Sequence, residues 1–209
     1  MIFPPVSLAE PDGLLAIGGD LSQDRLLLAY RSGIFPWYEG SHILWWSPDP
    51  RFVLFPGELK VSKSMQQLIR KGHFHFTVDK AFDEVIANCK TISRPGQDGT
   101  WITDDVKEAY RGLHEAGYAH SAETWLDGEL VGGLYGIRLG NFFFGESMFS
   151  KASNASKAAF IQYVGLLRDE GVGLIDCQVY TAHLESLGAR MISREDFIRI
   201  IGPLSDSSQ

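Results

Sequence analysis

The run SAETWL-DG-ELVGGLYGI, Ser121 to Ile137, decides the fold class. Two apolar-rich stretches flank Asp127-Gly128, a pair that readily takes the two positive-φ positions of a tight hairpin turn. Gly140-Asn141 turns the chain again, into Phe142 to Phe149, so the spacing predicts three consecutive antiparallel strands. Asn154 then caps a long helix with Ala158, Ile161, Val164 and Leu167 at helical spacing, which Gly171 ends. A buried strand follows, Leu174 to Val179. A sheet covered by a helix buries one face and leaves strand ends available for a site.

Outward from this block, the regular texture begins near Lys60. Ser62 or Ser64 caps a helix with Met65, Leu68 and Ile69 on one face, closed by Gly72. Phe82, Val85, Ile86 and Cys89 give the pattern of a second buried helix face. After a loop from Ser93 to Gly99, Thr103 caps a third helix through Val106, Tyr110 and Leu113 to Gly117. Short elements close the chain: Thr181 to Leu187, a strand at Met191-Ile192, and a helix from Arg194 to Ile201. The first sixty residues instead crowd Pro, Gly and Trp together, with one helix from Ser22 through Leu26 and Tyr30 to Gly33. Frequent turns carrying aromatics that need burial imply a compact irregular unit. The expectation is an α+β chain with a small N-terminal domain over 1–59 and a larger domain over 60–209.

Composition narrows the function classes. Of the 209 residues, 44% are hydrophobic and 22% charged, the balance of a globular enzyme-sized protein. No run approaches the roughly 18 apolar residues of a membrane span, and Met1 to Pro5 lacks the signature of a leader, so a cytoplasmic protein is expected. Cys89 and Cys177 stand far apart without metal-ligand spacing, and the six histidines form no cluster, so no metal is expected. A net charge of -7 argues against a protein that coats nucleic acid. A local basic patch can still hold one RNA end.

Several residues could carry chemistry. Asp176 and Gln178 lie two apart on a strand and therefore share a face. A carboxylate between Ile175 and Val179 is costly unless paired, and such surroundings dispose it to take up a proton. Pattern alone equally allows Asp176 to pair with a neighbouring loop and Gln178 to satisfy sheet backbone. Glu146 interrupts the apolar run FFFGESMF and needs a partner, either a ligand amine or a structural cation such as Lys157 or an Arg. Leu134, Met148, Phe160, Tyr163, Leu167 and Ile175 read as core or as the wall of a side-chain pocket. Lys60 to His75 holds four cations and no acid, including Lys63, Arg70 and Lys71, and is either a solvated helix face or a phosphate contact. His120 reads as a hydrogen-bonded structural histidine. Ser147 does not sit in a nucleophile-elbow motif.

The order of three antiparallel strands, a long helix and a further strand resembles the core of the acetyltransferase-like (GNAT-like) superfamily. The strings PDGLLAIGGDL (11–21), GIFPW (33–37), LWWSPDPR (44–51), GTWIT (99–103), GESMFS (145–150) and LIDCQ (174–178) resemble, in the same order, the bacterial leucyl/phenylalanyl-tRNA-protein transferase family. The resemblance implies transfer of Leu or Phe, and less well Met, from aminoacyl-tRNA to the α-amine of proteins beginning with Arg or Lys, marking them for degradation through the N-end rule. It implies no cofactor and no membrane, and a monomer is expected. It implies Asp176 and Gln178 as the catalytic pair, with Glu146 as an acid lining the same site. Leu134, Met148, Phe160, Tyr163, Leu167 and Ile175 would line the aminoacyl pocket, with Leu134 standing where a Met is familiar. Trp45, Trp46 and Trp101 would stack on the terminal adenosine, and Lys63, Arg70 and Lys71 would meet tRNA phosphates.

In such a reaction the ester is already activated, so aligning an amine with its carbonyl is the main task. Asp176, directly or through Gln178, could accept the amine's proton, or the pair could orient the amine and stabilise an oxyanion. An acyl-CoA-dependent N-acetyltransferase and a non-catalytic module for tRNA ends or peptide N-termini are the competing readings. The first should show a glycine-rich pyrophosphate loop opening the long helix, and Ser150 to Asn154 is not one.

Overall fold

Asp127 and Gly128 both adopt positive φ, 52° and 84°, and close the hairpin where the sequence places it. The computed structural model describes residues 2–91 and 102–204; the 93–99 loop and Trp101 lie outside them. In chain order the elements are β1 (Leu14–Ile17), α1 (Gln23–Arg31), β2 (Phe35–Pro36), β3 (Leu44–Trp46), β4 (Arg51–Leu54), α2 (Lys63–Arg70), β5 (His75–Val78), α3 (Phe82–Thr91) and α4 (Asp104–Glu115). They continue with β6 (Ala119–Leu126), β7 (Glu129–Leu139), β8 (Phe142–Ser150), α5 (Ala155–Asp169), β9 (Leu174–Gln178), α6 (Ala182–Ser186), β10 (Arg190–Ile192) and α7 (Arg194–Ile201).

Seven strands form one sheet in the order β10-β4-β9-β8-β7-β6-β5, and β1-β3-β2 form a small second sheet. Every pairing in the large sheet is antiparallel except β8 with β9. The expected α+β class, with three antiparallel strands, a covering helix and a further strand, is the observed one. Strand alternation sends neighbours to opposite faces. Tyr135, Phe144 and Leu174 face a core completed by Leu26, Tyr30, Tyr110 and Phe197. Leu134, Phe143 and Ile175 face a second core filled by Met65, Phe160, Tyr163 and Leu167.

Capping follows the sequence in most helices. Ser62, Thr103, Thr181 and Ser193 accept N–H bonds from Met65, Val106, Leu184 and Asp196. Two caps differ. Ser22 makes no side-chain cap, and its own N–H is held by Asp20 Oδ1 at 2.9 Å. Asn154 takes a left-handed conformation, φ 66°, without capping α5; Ser150 Oγ instead accepts the Ser156 N–H at 3.2 Å.

The three short strands of the small sheet were not anticipated in the irregular N-terminal unit, and neither were two strands of the large sheet. His75–Val78, inside the acid-free stretch, adds β5 to the edge of β6. Arg51–Leu54, expected within the N-terminal unit, lies between β10 and β9 in the large sheet. The change of texture at Lys60 therefore does not coincide with the change of sheet, which falls between β3 and β4. Proline-rich flanks hide β4 because periodicity over four residues is too short to read through them.

Candidate active site

β8 and β9 pair over only three positions, Phe142 with Leu174 through Phe144 with Asp176. Beyond these β8 stays with β7 to Ser150, while β9 ends beside β4 at Gln178. A cleft of about 880 Å³ opens between them. Its apolar wall includes Leu134, Met148, Phe160 and Ile175, and its polar end holds Glu146, Asp176 and Gln178.

Asp176 is fully buried beside Arg51, itself 1% exposed. Arg51 Nε donates to Asp176 Oδ1 at 2.8 Å, and Nη2 donates to Oδ2 at 2.7 Å. Arg51 also donates to the Gly33 carbonyl at 3.2 Å, and its guanidinium lies over the rings of Phe35 and Phe197. Asp176 Oδ1 accepts a further bond from the Gln178 backbone N–H, at 2.9 Å. This contact holds Gln178 at φ 63°, a conformation costly for a residue with a Cβ and stable only where the surroundings fix it.

That turn aims the Gln178 side chain at Glu146. Nε2 donates to Glu146 Oε1 at 2.9 Å. The Tyr30 hydroxyl bonds the same oxygen at 2.7 Å, the Tyr110 hydroxyl bonds Oε2 at 2.9 Å, and the two hydroxyls are in short contact with each other. Among the described residues Glu146 thus has neither Lys157 nor an arginine as its hydrogen-bonded partner, and the buried guanidinium of Arg51 pairs with Asp176 instead. Burial pushes the Glu146 carboxyl up to about 8, against the lowering effect of its three hydrogen bonds, and the Asp176 charge adds to the rise. Burial and the neighbouring Glu146 charge hold Tyr30 and Tyr110 well above the ordinary phenol value. Cys177 also lines the cleft, but burial and the Asp176 charge push its thiol up, leaving it a poor nucleophile.

The remaining candidates separate clearly. Tyr163 and Leu167 are buried in the core beneath α5 and do not line the cleft; Tyr163 packs edge-on against Phe143 at 5.2 Å. Their helical spacing matched the pocket residues, but they sit farther along α5. Trp45 is 1% exposed, wedged against Phe3, with its indole N–H on the Gly18 carbonyl at 2.8 Å. No nucleotide can stack on a ring already enclosed. Trp46 is partly exposed, and its N–H bonds the Trp37 carbonyl at 2.5 Å. Lys63, Arg70 and Lys71 are exposed on or beside α2, with no ion pair among the described residues. His120 Nδ1 lies 2.7 Å from Asp79 Oδ2, the structural role expected of it.

Sequence reading passed over Arg51, Tyr30, Tyr110 and Trp37, which is 37% exposed and lines the cleft. A basic residue ending the Trp-Trp-Ser-Pro-Asp-Pro string was visible, yet nothing local connects it with a carboxylate 125 positions away.

Residues 53–202 match the family described as leucyl/phenylalanyl-tRNA protein transferase, and residues 19–49 match the N-terminal domain of the same family. The chain is 63% identical to the leucyl/phenylalanyl-tRNA–protein transferase of Syntrophus aciditrophicus, over 96% of this chain and 84% of that protein. It is 58% identical to that of Syntrophobacter fumaroxidans, over 96% and 86%. For the Flavobacterium johnsoniae protein the identity is 59%, over 96% and 95%. Among solved structures it is similar to a GCN5-related N-acetyltransferase-like protein from Streptococcus suis, at 13% identity, covering 81% of this chain and 64% of that one with a TM-score of 0.42.

Proposed function

The chain belongs to the leucyl/phenylalanyl-tRNA-protein transferase family and is an aminoacyltransferase, and from that premise we propose that it moves Leu or Phe, and less well Met, from tRNA to the α-amine of proteins beginning with Arg or Lys. The observation that carries the reading is the cleft itself. An apolar wall of Leu134, Met148, Phe160 and Ile175 runs into a polar end at Gln178 and Glu146. Such a site suits an unbranched-Cβ apolar side chain followed at once by an amine and an ester carbonyl. Discrimination among apolar side chains by shape is worth only about 1–3 kcal/mol, which accounts for some use of Met.

The pairing of Asp176 redistributes the roles within the reaction centre. Its oxygens already take three N–H bonds, two from Arg51 and one from Gln178, so it acts as a positioning residue through Gln178. Gln178 spends one N–H on Glu146; its carbonyl oxygen and second N–H serve the reacting groups. The amide orientation follows from the network, because turning it would place oxygen against oxygen. Holding the amine against an activated ester supplies most of the acceleration this reaction needs. Trp37 and Trp46 at the aromatic edge, with Lys63, Arg70 and Lys71, are the proposed tRNA contacts.

An acyl-CoA-dependent activity fits less well. The turn into α5 spends the Ser156 N–H on Ser150 Oγ instead of presenting a glycine-lined nest to a pyrophosphate.

The test mixes labelled Leu-tRNA with peptides differing only in their first residue. Label should pass to peptides beginning with Arg or Lys and not to one beginning with Asp; no label on the Arg peptide would sink the proposal.

A further inference from the structure

Counting protons around Glu146 gives a result that its role as a lining acid does not require. Three oxygen–oxygen contacts close a ring: Tyr30 with Tyr110, Tyr30 with Glu146 Oε1, and Tyr110 with Glu146 Oε2. The two tyrosines bring one hydroxyl proton each. With Glu146 as a carboxylate, both hydroxyls donate to it and their mutual short contact sets lone pairs against lone pairs. With Glu146 as a carboxylic acid, every contact has a proton. Oε2–H donates to the Tyr110 oxygen, Tyr110 to the Tyr30 oxygen, and Tyr30 to Oε1. Oε1 also receives the Gln178 amide, so the oxygen with two donors is the carbonyl oxygen, as the arrangement demands.

We propose that Glu146 rests as a neutral carboxylic acid, the third proton source of a closed ring with Tyr30 and Tyr110, and that the acceptor α-amine, held by the carbonyl oxygen of Gln178 beside it, therefore binds in the uncharged, nucleophilic form. The groups facing Glu146 agree with this. Tyr30 comes from α1, Tyr110 from α4 with Tyr135 of β7 behind it, and Gln178 and Asp176 from β9. Among the described residues, the guanidinium of Arg51 on β4 is spent on Asp176. Burial against these groups pushes the Glu146 carboxyl up to about 8, in the same direction as the proton count. The consequence is chemical. A carboxylate would hold an ammonium, which has no lone pair with which to attack. A neutral acid sets no negative charge beside the free amine and leaves the amine's lone pair available. An α-amine with a pKa near 8 is readily poised between these forms.

The inference rests on the transferase reading but is tested apart from it. An infrared difference spectrum of the protein between about pH 6 and about pH 9.5 should contain the carbonyl stretch of one protonated carboxylic acid, lost with a midpoint near 8, since ordinary carboxyls titrate far lower. Absence of that band at the lower pH would overturn the proposal, whether or not label is transferred. If no label moves at all, the transferase reading fails while the band still reports on the ring. In single-turnover transfer, the rate should fall above about pH 8, and Glu146→Gln, whose amide keeps one acceptor and one donor but cannot titrate, should lose that fall whatever its plateau. A fall retained in Glu146→Gln would count against the proposal. Repeating the profile with tRNA carrying the 2-hydroxy acid analogue of Leu, which lacks the aminoacyl amine, should retain the fall, because the nucleophile is the acceptor's amine; loss of the fall would overturn the proposal.

Discussion

At the residue scale, Glu146 and Asp176 show how environment divides two acids. Asp176 is matched by a guanidinium and one backbone N–H, whereas among the described residues Glu146 is matched by neutral donors. The raised carboxyl of Glu146 has a stability consequence of definite sign. Its folded value, about 8, lies above the ordinary 4.5, so its contribution is fully present below the ordinary value and is lost as pH rises through about 8. Urea unfolding midpoints should therefore decline between about pH 5 and about pH 8.5, and Glu146→Gln should flatten this part of the profile. Gln178 offers a second test at this scale. Asp176→Ala frees its backbone from a strained conformation, so transfer should lose turnover by more than tenfold, on the order of 1.4 kcal/mol or more, with tRNA affinity nearly unchanged.

At the scale of elements, β7 lies close against α5, the helix that carries Phe160 to the cleft. A Cβ added at Gly132 would lie 2.6 Å from the Ala155 Cβ and 2.7 Å from its backbone carbonyl carbon. Gly132→Ala should push α5 away and cost about 1–3 kcal/mol by chemical denaturation, with a matching rise in KM for Leu-tRNA. Phe160, on the same helix, lines the cleft. Phe160→Ala should widen the pocket and shift the ratio of Phe to Leu transfer upward in a competition assay with both charged tRNAs. Helix α2 makes a prediction of another kind. Lys63, Arg70 and Lys71 carry no ion pair among the described residues, so replacing each by Ala should weaken tRNA binding and lower the slope of log affinity against log salt by about 1.

At the scale of the whole molecule, Arg51 is the joint between the two sheets. From β4 in the large sheet it reaches the Gly33 carbonyl and the Phe35 ring on the N-terminal side, Phe197 of α7, and Asp176 at the polar end of the cleft. Arg51→Met leaves a buried carboxylate unpaired and should cost about 3–5 kcal/mol of stability. Adding Asp176→Leu should recover most of that loss in urea unfolding without restoring transfer, which separates the fold's need for the pair from the need of Gln178 for an anchor.

The sequence by itself determined everything that depends on a few neighbouring residues. The Asp127-Gly128 hairpin, the caps at Ser62 and Thr103, and the succession of three strands, long helix and strand were all readable, because turn conformation and helical periodicity are encoded within about one turn of chain. The family strings located Asp176, Gln178 and Glu146 at one site. Only the tertiary structure decided what those residues meet. β4 inserts beside β9 and brings Arg51 to Asp176 across 125 positions, and α1 brings Tyr30 to Glu146 across 116. It also enclosed Trp45, Tyr163 and Leu167, which do not line the cleft. Strand order and helix docking are products of global packing, to which local pattern is blind, and they fix which acid meets a guanidinium and which meets tyrosine hydroxyls and an amide.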